Sequence, residues 1–201
     1  MTAARITVRR AETRARLLAA AFAVFAEEGF GRASVEQVCD RAGFTRGAFY
    51  SNFSSLDELF LAMWEERSAN LLADLRAALE GIDSADADEM IRRVLRAIPV
   101  DDAWFRVSLE FTAHALRNPA LREAMAAREE AIQRTVVPIV ATALARAGRR
   151  VRDRTALGHA LVAIHDGTAA QVLLRPGSRA VRRRREQLFR AVLESYSEEI
   201  P

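Results

Sequence analysis

A run of slim and polar side chains between residues 45 and 52 has the types and spacing needed to read a DNA major groove. Phe49 and Phe53 lie four residues apart and therefore face inward on a predicted helix. The groove admits a helix only if its exposed side is slim, and Arg and Asn pair bidentately with guanine and adenine edges. The phenol of Tyr50 can contact a phosphate, which sets register without reading sequence. The outward residues are Thr45, Arg46, Gly47, Ala48, Tyr50, Ser51 and Asn52.

The first of two short helices that would present these side chains is marked at both ends. Ser34 with Gln37 three residues later is a capping box, so a helix begins at Val35. Gly43 supplies the left-handed residue that ends this helix after about two turns. From the start of the helix the Ser34 hydroxyl can also contact a phosphate.

The second short helix is bounded in the same way. Thr45 is a good N-cap for it. Ser55 with Glu58 repeats the capping box, so the second helix is expected to end near Phe53 and a longer helix to begin at Leu56. The predicted order is therefore helix, tight turn, helix and stop, which is the arrangement of a DNA-reading helix-turn-helix.

Positive charge is concentrated in the first quarter of the chain. Residues 1–56 carry eight arginines against five acidic residues, whereas the rest of the chain carries 22 of each. Such a local excess is the electrostatic footprint of a phosphate-binding module, although a solvated tail has the same composition. The densest part is a predicted N-terminal basic arm, Arg5, Arg9, Arg10, Arg14 and Arg16, opposed only by Glu12.

Residues from about Thr13 to Trp64 resemble the DNA-binding domain of the TetR (tetracycline repressor) family. TRARLLAAAFAVFAEEGF is similar to the first helix of the family, SVEQVCDRAGFTRGAFYSNF to its helix-turn-helix, and SSLDELFLAMWE to the start of its long fourth helix. The resemblance covers about a quarter of the chain. The DNA contacts that it implies are Ser34 on phosphate and the recognition-helix positions Thr45, Arg46, Gly47, Ala48, Tyr50 and Asn52.

The chain departs from the family at Leu56, where TetR-like proteins usually have a Lys. Leu cannot neutralise a phosphate. Amides at the start of the following helix can still bind one, but Asp57 and Glu58 oppose an anion there. A phosphate contact at position 56 is therefore not carried over, and Arg46 or the basic arm is expected to compensate.

Composition favours an all-α fold. Half of the 201 residues are apolar, Gly and Pro are sparse, and hydrophobic repeats run at three and four rather than two. With the resemblance, this predicts an N-terminal three-helix helix-turn-helix domain at 1–56. A long helix would join it to a C-terminal helical ligand-binding and dimerisation domain at 57–201. The lone Cys39 excludes an internal disulfide and fits a reducing cytoplasm, and no signal peptide is evident.

The segment from Thr155 to Leu174 is apolar on all sides of a predicted helix. Asp166 is its one residue charged at neutral pH. Two histidines, Gln171 and several Thr and Gly residues make it too polar for a membrane span. We therefore expect one face to line the interior and the other to meet a second subunit.

The last predicted helix carries a second apolar stripe, which the same stripe of another copy could cover. TetR-like proteins usually dimerise through a four-helix bundle of their last two helices, so the resemblance implies a homodimer on a double-stranded DNA operator. Two recognition helices about 34 Å apart would then engage successive major grooves of a near-palindrome. The four-residue basic run Arg182–Arg185 before this helix is more in keeping with a solvated helix start or dimer salt bridges than with a second DNA site. The stripe consists of Leu188, Phe189, Val192, Leu193 and Tyr196.

The resemblance also implies a repressor that a small apolar or amphipathic effector releases from DNA. Candidate pocket residues lie on the broad apolar arc of a helix that Asp101 or Asp102 can cap, with two polar anchors on the Thr155–Leu174 helix. For any one of them, plain core packing is the competing interpretation. The candidates are Phe105, Ser108, Leu109, Phe111 and Thr112, with His165 and Asp166 as anchors.

No pattern in the sequence indicates catalysis, a metal or a cofactor. His159 and His165 are six apart and point to different sides of a helix, so they do not form a zinc pair. There is no phosphate-cradling Gly-rich loop and no nucleophile elbow. Two other classes remain open: a helical enzyme or small-molecule carrier without specific DNA binding, and a dimeric interaction protein. A transcriptional activator is a nearer alternative.

Overall fold

The computed structural model describes the backbone of residues 2–79 and 87–200. It describes their side chains except at 2–7, 87, 88 and 90. Residues 80–86 and the side chain of Arg5, a member of the predicted basic arm, therefore lie outside the described residues.

The described chain is built almost entirely of helices, which confirms the all-α prediction. Besides the helices, the described residues form one two-stranded antiparallel ribbon, in which Arg149 pairs with Glu199 and Arg150 with Glu198. The elements are α1 (Thr2–Glu28), a short 3-10 turn (Phe30–Arg32), α2 (Val35–Ala42), α3 (Arg46–Tyr50), α4 (Leu56–Leu79), α5 (Ala87–Ala97), α6 (Asp102–Ala115), α7 (Pro119–Arg146), β1 (Arg149–Val151), α8 (Arg154–Leu174), α9 (Arg179–Ser195) and β2 (Ser197–Glu199).

The chain divides into two compact units. The first comprises residues 1–67 and 106–122, and the second comprises residues 68–105 and 123–201. The predicted boundary at residue 56 coincides with the first residue of α4, but the first unit continues along this helix and also takes in most of α6. Aromatic packing explains this difference, because Phe111 of α6 stacks on Phe60 of α4 with ring centroids 3.7 Å apart.

The predicted helix caps of the first unit are present. The Ser34 amide donates to Gln37 Oε1 at 2.8 Å and the Gln37 amide donates to Ser34 Oγ at 3.2 Å. Gly43 is left-handed at φ 68°, and Thr45 Oγ1 accepts from the Ala48 amide at 3.2 Å. These contacts satisfy amides that α2 and α3 leave without helical partners.

Two details at the end of α3 differ from the sequence interpretation. The helix ends at Tyr50 rather than near Phe53, because the amides of residues 52 and 53 both donate to the Phe49 carbonyl and close the last turn. The second predicted capping box is shifted. Glu58 accepts from the Ser54 amide at 2.7 Å, while its own amide donates to Ser55 Oγ at 3.1 Å.

The predicted N-terminal arm is helical and continuous with α1. Arg16 Nη2 donates to the Ala42 carbonyl at 2.7 Å, where α2 ends, and its guanidinium lies 4.6 Å from the Phe44 ring centroid. The Arg14 guanidinium lies 4.4 Å from the ring centroid of Phe53. Part of the basic charge of this segment therefore holds the helices together, as expected for cations near helix C-termini.

The second unit has an apolar core that uses the stripe of α9. Phe189 and Leu193 are buried in this core with residues of α4, α5, α7 and α8. The expectation that the stripe is free to meet another copy is therefore wrong for these two residues, because other helices of the same chain cover them. Exposed residues of α8, including Ala163, Gly167 and Leu174, are left for any partner.

Gly43→Ala is expected to lower the free energy of unfolding by about 1–2 kcal/mol, because an L residue is strained in the left-handed region. A Cβ there would also lie 3.3 Å from Arg16 Nη2. Denaturant unfolding of the full chain measures the effect. The control is Gly31→Ala, where a Cβ meets no atom within 4 Å and the change should stay within about 0.5 kcal/mol. Equal losses in both variants would contradict the role given to Gly43.

Candidate functional site

The exposed surface of α3 brings together most of the predicted DNA contacts. Thr45, Arg46, Gly47 and Tyr50 are exposed, and Ala48 is half-buried. Phe49 is fully buried and anchors the helix from the opposite side. A Cβ added at Gly47 would have Thr45 Oγ1, at 3.7 Å, as its nearest side-chain neighbour. The helix thus presents a slim surface with one cation and one phenol, the profile that a major groove accepts.

Arg46 is paired within the first unit. Its Nη1 lies 2.8 Å from Oε1 of Glu36, on the first turn of α2, and both side chains are exposed. Its guanidinium carbon lies 5.9 Å from the ring centroid of Tyr50. A hydrogen bond with Tyr50 and the charge of Glu36 raise the pKa of Arg46 above its ordinary value. The sequence interpretation missed Glu36, which lies ten residues from Arg46 and so carries no helical spacing signal.

Asn52 is placed differently from the other predicted base contacts. It lies just after α3 and is half-buried. Its Nδ2 donates to the Ala48 carbonyl at 2.9 Å and to Ser51 Oγ at 3.2 Å, while Oδ1 is buried without a hydrogen-bond partner. In this conformation the amide closes the end of the helix, so a base contact through Asn52 requires another rotamer.

The two candidate phosphate contacts at helix starts differ in what they offer. The hydroxyl of Ser34 accepts from the Gln37 amide and keeps its own proton for an acceptor such as a phosphate oxygen. Leu56 is half-buried at the first position of α4 and brings no charge. Glu58 and Asp57 occupy the same first turn, which makes it unfavourable for an anion.

The effector candidates on α6 differ in exposure and in the unit to which they belong. Phe111 is fully buried and packs edge-on to Phe30 at 4.9 Å between ring centroids. Leu109 is exposed, and Thr112 Oγ1 donates back to the Ser108 carbonyl at 2.8 Å. The Ser108 hydroxyl is buried without a hydrogen-bond partner. Phe105 is half-buried in the second unit, whereas these four belong to the first. Their role in effector binding stays a prediction.

His165 belongs to a buried polar cluster between α8 and α9. Its Nδ1 lies 3.0 Å from Nη2 of Arg185, and Nη1 of the same guanidinium donates to Thr168 Oγ1 at 3.0 Å. A guanidinium can only donate, so the imidazole accepts at Nδ1 and is neutral. Burial lowers the pKa of His165 to about 4, and the charge of Arg185 contributes. Nothing in the sequence distinguishes this arginine from the other three basic residues at 182–185.

Asp166 lies at the surface of α8 beside this cluster. Desolvation by neighbouring side chains nevertheless raises the pKa of its carboxyl, the charge of Glu129 raises it further, and Arg185 opposes both. Because its pKa is raised, this carboxyl takes up a proton at a higher pH than an ordinary aspartate does. Its place in an effector site stays a prediction.

The second unit contains an open cavity of about 400 Å³ between α7 and α8. Val137 and Pro138 supply apolar surface, and Arg134, Arg154 and His159 supply donors. A second, wholly apolar cavity in the core has about 20 Å³, close to the space of a single water. Only the larger cavity falls in the size range of small-molecule sites.

Cys39 is buried on the inward face of α2, and burial raises the pKa of its thiol. Within residues 2–79 and 87–200, His, Cys, Asp and Glu side chains form no cluster of three or more that could hold a metal ion. None of the described helices combines the length and the apolarity required to span a bilayer.

Two family profiles match the chain and together cover most of it. The profile of bacterial regulatory proteins of the tetR family matches residues 17–63, which include α2, α3 and the start of α4. The profile of the C-terminal domain of BetI-type transcriptional repressors matches residues 83–197, more than half of the chain. The chain therefore belongs to the TetR family of transcriptional regulators, and the resemblance stated from its sequence is confirmed. It carries a helix-turn-helix DNA-binding domain, and members of this family are regulators rather than enzymes.

Individual relatives agree with this assignment. The transcriptional activator FasR of Mycolicibacterium smegmatis is 33% identical over 105 residues, which are 50% of this chain and 47% of FasR. The regulator CymR of Pseudomonas putida is 34% identical over 130 residues, which are 64% of this chain and 60% of CymR. The chain thus spans about half the length of the curated relatives it matches. The solved structure of the multidrug binding protein EbrR, complexed with imidazole, has a TM-score of 0.62 at 26% identity and covers 90% of this chain and 89% of that one.

His165→Gln is expected to flatten the acid dependence of stability between pH 6.5 and about 4. Because the pKa of His165 is lowered in the folded state, the unfolded chain binds the proton first, and the free energy of unfolding falls as pH drops through this window. The loss is at most about 1.4 kcal/mol per pH unit. Denaturant unfolding at several pH values measures it, with His159→Gln on the exposed surface of α8 as the control. Identical slopes in the wild type and His165→Gln would contradict the role of the buried imidazole.

Proposed function

We propose that the chain is a ligand-responsive transcriptional repressor that binds a near-palindromic operator as a homodimer. One observation carries the DNA-binding part of the proposal. Arg46 and Tyr50 stand exposed on a slim helix whose start is capped by Thr45 and whose reverse side is fixed by the buried Phe49. A helix held in this way presents base-reading and phosphate-binding groups without having to fold on the DNA.

Repression is the direction we propose for its effect on transcription. The C-terminal profile that matches more than half of the chain describes BetI-type repressors. Activation is the second candidate, because FasR, a relative at 33% identity, is described as an activator. Repression and activation require the same complex with the operator. They differ in whether the bound protein blocks or promotes the initiation of transcription.

Dimerisation supports operator recognition geometrically. A dimer with recognition helices about 34 Å apart engages two successive major grooves and doubles the contacts of a five-residue helix. The resemblance to TetR-like proteins implies that the dimer contact lies on the last two helices. Exposed Ala163, Gly167 and Leu174 of α8 are consistent with that placement. The same proposal places the protein in the cytoplasm, where the operator would lie.

The effector is proposed to bind the second unit. The open cavity of about 400 Å³ between α7 and α8 is large enough for a small amphipathic molecule. His165, Asp166 and Phe105 belong to the same unit but are not among the residues that line this cavity, and they stay separate candidates for effector contacts. The likeness to EbrR, described as a multidrug binding protein, supports a small-molecule ligand. Such a ligand releases DNA only if it binds the non-operator conformation more tightly.

Binding to the DNA upstream of the gene of this protein tests the proposal. We expect a footprint over an inverted repeat, affinity that falls steeply with salt, and less transcription from that promoter in vitro when the protein is added. Arg46→Ala is expected to lower operator affinity by about 1–3 kcal/mol and to relax discrimination at one base pair of each half-site. Equal binding to every duplex, or to none, rejects the repressor and the activator alike, whereas a footprint with increased transcription selects the activator.

Leu56→Lys is expected to strengthen binding to operator and unrelated duplexes by the same factor. A cation at the first position of α4 would add a phosphate contact, so the slope of log affinity against log salt should become steeper by about 1. Leu56→Gln, with a polar and neutral side chain of similar length, is the matched control. If lysine leaves both affinities and the slope unchanged, α4 does not approach the DNA backbone at this residue.

A further inference from the structure

The ion pair between Glu36 and Arg46 links the two helices of the helix-turn-helix at its exposed surface. Arg46 Nη1 and Glu36 Oε1 are 2.8 Å apart, and the two side chains retain 61% and 54% of their exposed area. Both partners of the pair are thus accessible to a competing ligand. The ring centroid of Tyr50 lies 5.9 Å from the guanidinium carbon of the same arginine. Arg46 therefore already interacts with two side chains before any DNA arrives.

Non-operator DNA offers Arg46 a phosphate in place of Glu36. That exchange gains counterion release, but it requires the ion pair to open and brings the Glu36 carboxylate close to the anionic backbone. An exposed ion pair shifts an equilibrium by up to about fivefold, which is comparable to the gain from one phosphate contact at moderate salt. The exchange with a phosphate is therefore close to balanced.

An operator offers Arg46 something stronger. A bidentate contact with a guanine edge discriminates by about fivefold to a hundredfold, whereas an exposed ion pair shifts an equilibrium by at most about fivefold. Opening the pair is then favourable only where the correct base is present. The Glu36 carboxylate therefore disfavours contact of Arg46 with DNA phosphates, while a guanine edge of the operator binds Arg46 strongly enough to open the pair.

We infer that Glu36 is a specificity-determining residue, which withholds the Arg46 guanidinium from the phosphates of non-operator DNA and releases it to a base edge of the operator. Glu36 acts through Arg46 and touches no base itself. The inference rests on the proposed operator-binding function, since it concerns the ratio of operator to non-operator affinity.

Asp40 provides the matched control for this inference. It is exposed on α2 one helical turn after Glu36, so Asp40→Asn removes the same charge from the same helix. Glu36 pairs with Arg46, whereas Asp40 is not among the groups whose charge acts on Arg46. Any effect of net charge alone must therefore appear in both variants.

The experiment measures affinities of the full-length wild type, Glu36→Gln and Asp40→Asn for the footprinted operator and for a scrambled duplex of equal length. Titrations at several salt concentrations give the slopes. For Glu36→Gln we expect about three- to tenfold tighter binding to the scrambled duplex with a slope steeper by about 1. Operator affinity should rise by a smaller factor, at most about fivefold, because the variant no longer has to open the ion pair there. Asp40→Asn should change both affinities by one common factor.

A double-mutant cycle shows whether the effect passes through Arg46. In an Arg46→Ala background, Glu36→Gln should no longer tighten binding to the scrambled duplex beyond the Asp40→Asn factor. The inference is overturned if Glu36→Gln and Asp40→Asn change the specificity ratio equally, if neither changes it, or if the effect of Glu36→Gln persists without Arg46. Denaturant unfolding of each variant confirms that the compared proteins are folded. A wild type that does not prefer the operator defeats the proposed function instead, so the two failures are distinguishable.

Discussion

The DNA-binding surface depends on how the ends of two very short helices are held. Helices of eight and five residues, such as α2 and α3, are not stable in water by themselves. The capping box at Ser34, the left-handed Gly43 and the bond from Arg16 to the Ala42 carbonyl fix α2 at both ends. Thr45 and the buried Phe49 do the same for α3. The direction in which Arg46 points follows from these contacts, because nothing within a five-residue helix could set it.

Arginine serves three different physical purposes in this chain, although its charge is the same in each. Arg14 and Arg16 lie over aromatic rings and tie α1 to the helix-turn-helix. Arg46 is exposed, forms an ion pair with Glu36 and is the proposed base contact. Arg185 is buried beside a neutral imidazole, where hydrogen bonds to His165 and Thr168 and the charge of Asp166 stabilise its guanidinium. A count of basic residues identifies the first quarter of the chain as the part with excess positive charge, but it does not separate these three purposes.

The two units differ in how closely their structure is tied to function. In the first unit the same residues define the fold and the reading surface, so the family assignment and the geometry support each other. In the second unit the apolar core encloses a cavity of only about 20 Å³, and a larger cavity of about 400 Å³ with a mixed lining lies between α7 and α8. The chemistry available in that cavity is set by the groups that line it.

Local sequence signals determined the helical fold, the start of α2 and α3, and the exposed positions Arg46, Gly47 and Tyr50, because caps and helical spacing act over three or four residues. Tertiary structure alone decided the rest. Phe111 belongs to the core of the first unit since it stacks on Phe60, which is 51 positions away in the sequence. Phe189 is internal rather than intersubunit because other helices of the same chain cover it. The pairing of Arg46 with Glu36 arises from the angle between two helices. Contacts between residues far apart in sequence leave no periodic trace, so only the folded chain reveals which partner each charge and each ring acquires.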